Sequence, residues 1–149
     1  MLTVRLAGPT DGPAFVGLVR ALSAFEQLPG PDEAAAARLL EDAFGARRRF
    51  ELHVAELDGD VVAYAVTFPT YSTFLARPTL FLEDLFVHPR ARRKGVARAL
   101  MARLTERARE LGCGRFEWMV LDWNTDAQTF YDGLGAERLG TWRLCRVTL

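Results

Sequence analysis

The stretch from Leu80 to Leu121 constrains the fold more tightly than any other part of the chain, because its hydrophobic period changes twice. Leu80 to Val87 reads as a strand that His88-Pro89 ends. A basic turn containing Gly95 follows, and then Val96, Leu100, Leu104, Ala108 and Leu111 recur at helical spacing until Gly112-Cys113-Gly114 closes the helix. Phe116 to Leu121 is apolar again and short enough for a strand. A strand, a crossover helix and a second strand imply a parallel pair. Upstream, Phe50, Leu52 and Val54 alternate with Glu51 and His53, Asp58-Gly59 is a hairpin signal, and Val61 to Phe68 resumes as a strand. The hairpin demands antiparallel neighbours. Together these segments predict an α/β (α+β) chain with a mixed, largely antiparallel sheet, a parallel strand pair and flanking helices.

The remaining segments fill in this plan. Thr10-Asp11-Gly12-Pro13 reads as a helix start, and Phe15, Leu18, Val19, Leu22 and Phe25 mark the buried face. Leu28-Pro29-Gly30-Pro31 stops that helix. Asp32 and Glu33 open a second one with Ala36, Leu39, Leu40 and Phe44 on its apolar side. Asn124 precedes a short helix from Thr125 to Leu134, and Trp142 to Val147 reads as a last strand. With 149 residues and no linker or repeat, residues 1–149 are expected to form a single domain. A chain of this size hides about 70% of its unfolded surface, so neither Cys113 nor Cys145 is needed as a staple. The 19 Lys and Arg balance the 19 Asp and Glu, which argues against a partner held by surplus positive charge, so nucleic acid and membrane are both unexpected. No signal-like or spanning segment is present, and the expected location is the cytoplasm.

Against that zero balance, Arg90, Arg92, Arg93, Lys94 and Arg98 crowd one turn with no acidic residue among them. Such a run can be a solvated loop. At the start of a helix it can also hold a phosphate, because the first turn has unsatisfied N–H groups and a glycine allows close approach. Neither a P-loop nor the three-glycine dinucleotide fingerprint is present. Glu83 and Asp84 interrupt an apolar strand and would point to opposite faces if it is regular. Glu83 is then either functional or fixed by a structural hydrogen bond, and Asp84 reads as structural. Tyr131, two turns beyond Asn124 and near the same face, reads from its apolar surroundings as a packed core tyrosine. His53 and His88 have no neighbours at metal-ligand spacing, so no metal is expected.

The turn Arg92-Arg93-Lys94-Gly95-Val96-Ala97 before a long amphipathic helix resembles motif A of the GNAT acetyltransferase superfamily, Gln/Arg-x-x-Gly-x-Gly/Ala. Asn124, then Phe130-Tyr131 and Leu134-Gly135-Ala136, is similar to that family's closing motif. Phe81-Leu82-Glu83-Asp84-Leu85-Phe86-Val87, Trp123-Asn124 and Trp142-Arg143-Leu144 most resemble the spermidine/spermine (diamine) and thialysine N-acetyltransferases. The resemblance implies acetyl-CoA as co-substrate. It places the pyrophosphate on Arg92, Arg93, Lys94, Gly95, Val96, Ala97 and Arg98. The pantetheine arm would lie along Leu85, Phe86 and Val87, with Asn124, Thr125, Asp126 and Ala127 on its other side. Tyr131 would sit near the thioester sulfur as proton donor, and Glu83 would serve as general base, directly or through water. Phe25, Glu26, Glu83, Glu117, Trp118 and Met119 would meet the substrate. Phe25 stands where the polyamine enzymes carry a tyrosine. Homodimer assembly is also implied.

The expected activity is therefore transfer of an acetyl group from acetyl-CoA to a primary amine of a polyamine, diamine or thialysine-like cation. An amino-acid or peptide amine is the alternative acceptor, and a non-catalytic acyl-CoA-binding module is the alternative of a different class.

Overall fold

A computed structural model describes all 149 residues. Strands β1 (Leu2–Leu6), β2 (Glu51–Leu57), β3 (Asp60–Ser72), β4 (Arg77–Val87) and β5 (Arg115–Trp118) join in one sheet in that order. Helices α1 (Gly12–Phe25) and α2 (Glu33–Phe44) precede β2, α3 (Val96–Glu110) links β4 to β5, and α4 (Thr125–Gly133) follows. The first four strands pair antiparallel and β4 pairs with β5 in parallel, giving the mixed sheet the sequence implies.

The hairpin between β2 and β3 shows how local chemistry sets register. Asp58 and Gly59 both take positive φ, +54° and +92°, which suits a tight turn that twists with its strands. The ladder then starts at Leu57 opposite Asp60 and places Leu52, Val54, Tyr64 and Val66 on one face. Phe15 and Leu18 of α1 and Ala43 of α2 fill that face, with Phe15 edge-on to Tyr64 at 5.2 Å between ring centroids. The opposite face carries Glu51 and His53. There Arg107 of α3 donates to both carboxylate oxygens of Glu51, which sets α3 across that side. Val96, Leu100, Met101, Leu104 and Ala108 form the buried stripe of α3. His53 is wholly buried without a hydrogen-bond partner, and burial holds its imidazole below the ordinary range, so it packs as a neutral ring.

Three expectations change. The sequence reading assigns no element to the N-terminus, yet Leu2–Leu6 is a strand paired with β2, and Arg5 donates to both buried Asp11 and Glu56. The loop expected between Phe68 and Leu80 is instead the continuation of β3 and β4 as a long hairpin, with Pro69 opposite Leu80 and Ser72 opposite Arg77. The strand expected over Trp142 to Val147 does not form: residues 143–149 have no regular structure, and Trp142, Leu144 and Val147 are exposed. A strand needs a ladder partner, and residues 119–149 contain no other strand.

The chain divides into two compact units, Met1–Trp118 and Met119–Leu149. The first contains the whole sheet and α1 to α3. The second contains α4 and the C-terminal segment.

Leu104 is fully buried in the α3 stripe, so Leu104→Ala is expected to cost about 2–5 kcal/mol, read as a lower urea midpoint with an unchanged slope.

Candidate active site

The basic turn is shaped by its backbone. His88 Nδ1 accepts from the Arg90 N–H, a single 3₁₀ turn buries Ala91, and the chain then passes through left-handed conformations at Arg93 (φ +64°) and Gly95 (φ +80°). Arg93 tolerates that region at a cost, whereas Gly95 adopts it without one. The N–H groups of Arg93 to Arg98 donate to no backbone carbonyl, and the first intrahelical bond of α3 runs from Ala99 to the Gly95 carbonyl. A row of donors at the positive end of a long helix suits a phosphate or pyrophosphate. A Cβ added at Gly95 would meet nothing within 4 Å, so the approach to these donors is open.

Arg92 does something different from its neighbours. Its Nε donates to the Val87 carbonyl at 3.1 Å, and its guanidinium lies 5.4 Å from the Phe25 ring centroid and 5.6 Å from that of Phe86. It thus ties the end of α1 to β4 through cation–π contacts, each worth about 0.5–2 kcal/mol.

The acidic pair on β4 departs from regular alternation. Phe68 pairs with Phe81 and Thr67 with Leu82, but Val66 pairs with Asp84, so Glu83 has no opposite residue and forms a bulge. Beyond it the face shared with Tyr64 and Val66 passes from odd to even positions of β4. Asp84 and Phe86 therefore join Phe81 on the α1 side, which a regular strand would have denied to one or the other. The Tyr64 hydroxyl donates to Asp84 Oδ2 at 3.2 Å. Glu26, at the end of α1, reaches the same region and has one carboxylate oxygen buried with no hydrogen-bond partner. Burial, together with the negative charges of Glu83 and Glu26, pushes the Asp84 carboxyl up to about 6, although the Tyr64 hydrogen bond opposes this. Glu83 itself is exposed.

The neighbouring edge adds backbone groups of the first unit. The parallel ladder between β4 and β5 covers only Thr79 to Leu82, so no strand of the first unit pairs with the β5-facing edge of Glu83 to Val87. Backbone groups on Leu85, Phe86 and Val87 can face a ligand there. On β5, Glu117 lies 3.6 Å from Arg115, and Trp118 packs at 5.0 Å against Phe116.

In the second unit, Asn124 caps α4 by accepting the Ala127 N–H, and the Gln128 amide donates to the Leu121 and Asp122 carbonyls. These bonds fix the turn ahead of α4, with Thr125, Asp126 and Ala127 as its first turn. Tyr131 is half-buried beside Phe130, and burial pushes its phenol up. Met119 is exposed.

Sequence reasoning missed the hydrogen bond from Tyr64 to Asp84. Tyr64 lies in an apolar run where a core tyrosine is unremarkable, and only the strand register brings its hydroxyl to a carboxylate.

Comparison with known proteins gives the family. The model of the acetyltransferase (GNAT) family aligns with residues 17–136. A thialysine N-epsilon-acetyltransferase of Mus musculus is 33% identical over 144 residues, covering 91% of this chain and 84% of that protein. An L-ornithine N5-acetyltransferase of Arabidopsis thaliana is 42% identical over 88 residues, which is 59% of this chain and 39% of that protein. Among solved structures, AAC(6')-Iy in complex with a CoA-containing bisubstrate analogue superposes with a TM-score of 0.81 at 24% identity, covering 100% of this chain and 98% of that one. The family match spans most of the chain, and the fold agrees with it. The chain belongs to the GNAT acetyltransferase family and is an acyltransferase of the amine N-acetyltransferase class.

Proposed function

We propose that residues 1–149 act as one catalytic domain that moves an acetyl group from acetyl-CoA directly to a primary amine of a small cation, of the polyamine, diamine or thialysine type. The observation that carries this reading is the bulge at Glu83, which sets Glu83 and Asp84 beside Glu26 at the end of an unpaired strand edge. Carboxylates gathered without a cation suit an ammonium substrate. Acetyltransferases named for thialysine and L-ornithine among the relatives support the same substrate class.

Acetyl-CoA supplies an acyl group on a good leaving thiolate. The N–H groups of Arg93 to Arg98 would hold its phosphates, and the β4 edge at Leu85 to Val87 would align the pantetheine and meet the charge that develops on the acyl oxygen. An alkylammonium has a pKa near 10.4, so making it neutral at pH 7 costs about 4.6 kcal/mol. Glu83 draws the ammonium in and takes its proton, directly or through water. Tyr131 returns a proton to the departing sulfur. The protein works in the cytoplasm as a homodimer, and the exposed Leu139, Trp142, Leu144 and Val147 offer apolar surface for a second copy.

A second reading, acetylation of an amino acid's side-chain amine, is favoured by the same relatives, since thialysine and ornithine are amino acids.

Thiol release measured across spermidine, thialysine, ornithine, a short diamine and a basic peptide tests both readings. A small dication or amino acid is expected to exceed the peptide by about tenfold or more in kcat/KM, the worth of one charge-assisted contact. Equal rates for all would defeat the small-cation assignment. Tyr131→Phe is expected to lower kcat by about 10²-fold, and full turnover at saturating substrate would remove its role as donor. Glu83→Gln is expected to lower kcat/KM by about 10²-fold or more, and an unchanged value would remove Glu83 from catalysis.

A further inference from the structure

We propose that the proton taken from the substrate ammonium comes to rest on Asp84, and that Tyr64 is the positioning residue that holds the Asp84 carboxylate for it. The inference rests on the amine-acetylation reading above and assigns roles to residues that the sequence reading treats as structural. The geometry comes first. The bulge turns Asp84 onto the α1 side, where Tyr64 opposes its strand neighbours and donates to Oδ2, which leaves Oδ1 for another donor. Tyr64 is fully buried, clamped edge-on by Phe15, so its hydroxyl has little freedom to turn elsewhere. Burial and the adjacent carboxylate raise the phenol far above its ordinary range, so Tyr64 donates a hydrogen bond and keeps its proton.

The charges facing Asp84 complete the case. Glu26 approaches from the end of α1, Glu83 from β4 itself and the neutral Tyr64 from β3, and none is positive. The nearby guanidinium of Arg92 is occupied by Phe25, Phe86 and the Val87 carbonyl. The missing countercharge is therefore the substrate's. Asp84 titrates near 6, close to the operating range where a carboxylate is both ionised and basic enough to accept a proton. Exposed Glu83 is placed to deliver the ammonium and to let the proton escape afterwards.

The step balances without a further reagent. The ammonium N–H bond breaks, Glu83 takes the proton, directly or through water, and passes it on to Asp84, giving a neutral amine and a carboxylic acid. The amine lone pair forms the bond to the acyl carbon, the carbon–sulfur bond breaks, the thiolate leaves with a proton from Tyr131, and the nitrogen gives up its second proton, directly or through water, to restore the Tyr131 phenol. Asp84 then releases its proton to water past exposed Glu83.

The test compares pH profiles of kcat/KM for the wild-type protein, Tyr64→Phe, Asp84→Asn and Glu83→Gln, with the best amine of the panel and acetyl-CoA. The wild-type acid limb is expected near pH 6. Tyr64→Phe keeps the ring but removes the donor that favours the ionised carboxylate, so its limb should move up by about 0.5–1 pH unit. Asp84→Asn should lose that limb and about 10²-fold in kcat/KM. A limb that survives in Asp84→Asn but vanishes in Glu83→Gln, or one that Tyr64→Phe leaves in place, overturns the proposal. A wild-type protein that turns over no amine defeats the reading beneath it, which is a different result. A second readout needs no coenzyme. The folded-state pKa of Asp84 is raised, so its contribution to stability is full below about 4 and lost as pH rises through about 6. Asp84→Asn should therefore gain in melting temperature over wild type as pH rises from 4 to 7. A constant difference across that range also overturns the proposal.

Discussion

One unpaired residue in the ladder between β3 and β4 organises the carboxylate cluster of the first unit. Opposite Val66 and Thr67, β4 uses one residue more than β3, and the excess residue is Glu83. The ladder below the bulge puts Phe81 against half-buried Phe68, and the ladder above puts Phe86 against Tyr64 in the core. Without the bulge, a single register could not set both aromatic pairs on one face of the sheet. The acidic pair is placed where packing on either side requires the irregularity.

The same strand joins the two chemistries. Val87 ends β4, its carbonyl accepts from Arg92, and three residues beyond Arg92 the chain starts α3 at Gly95 with its N–H groups open. Carboxylates and anion-binding donors thus flank a few residues of a strand edge that β5 leaves uncovered. Arg92 keeps the opposite signs apart. By stacking between Phe25 and Phe86 it puts a fixed positive charge on aromatic surface, where it cannot swing to neutralise Glu83 or Asp84.

Much of this was legible in the sequence. The period change around His88 and Gly95 announced the parallel pair, and Asp58-Gly59 announced the hairpin, because each is a local signal with a local cause. Asn124 announced its cap for the same reason, and the structure shows the bond to Ala127. What sequence could not show depends on pairing. Leu2, Val4 and Leu6 alternate with Thr3 and Arg5, but so short a segment becomes a strand only when β2 offers an edge. Glu83 and Asp84 looked like opposite-facing neighbours because the bulge is a property of two strands together. Trp142 to Val147 has the composition of a strand and, with no partner strand in residues 119–149, remains irregular.

A site assembled from like charges is costly while it is empty. Asp84 bears that cost visibly, with its carboxyl pushed up by burial and by two negative neighbours, and Glu26 adds a buried oxygen with no donor. Packing could have removed the cost by supplying a cation from the chain, and the arginine at hand is held elsewhere. On the proposed function, an incoming ammonium would meet carboxylates with no internal partner to displace, and part of its binding would come from relieving repulsion that folding left in place. The same relief would favour the ionised form of Asp84 when the ammonium arrives, and so prepare the group to accept a proton while substrate is present.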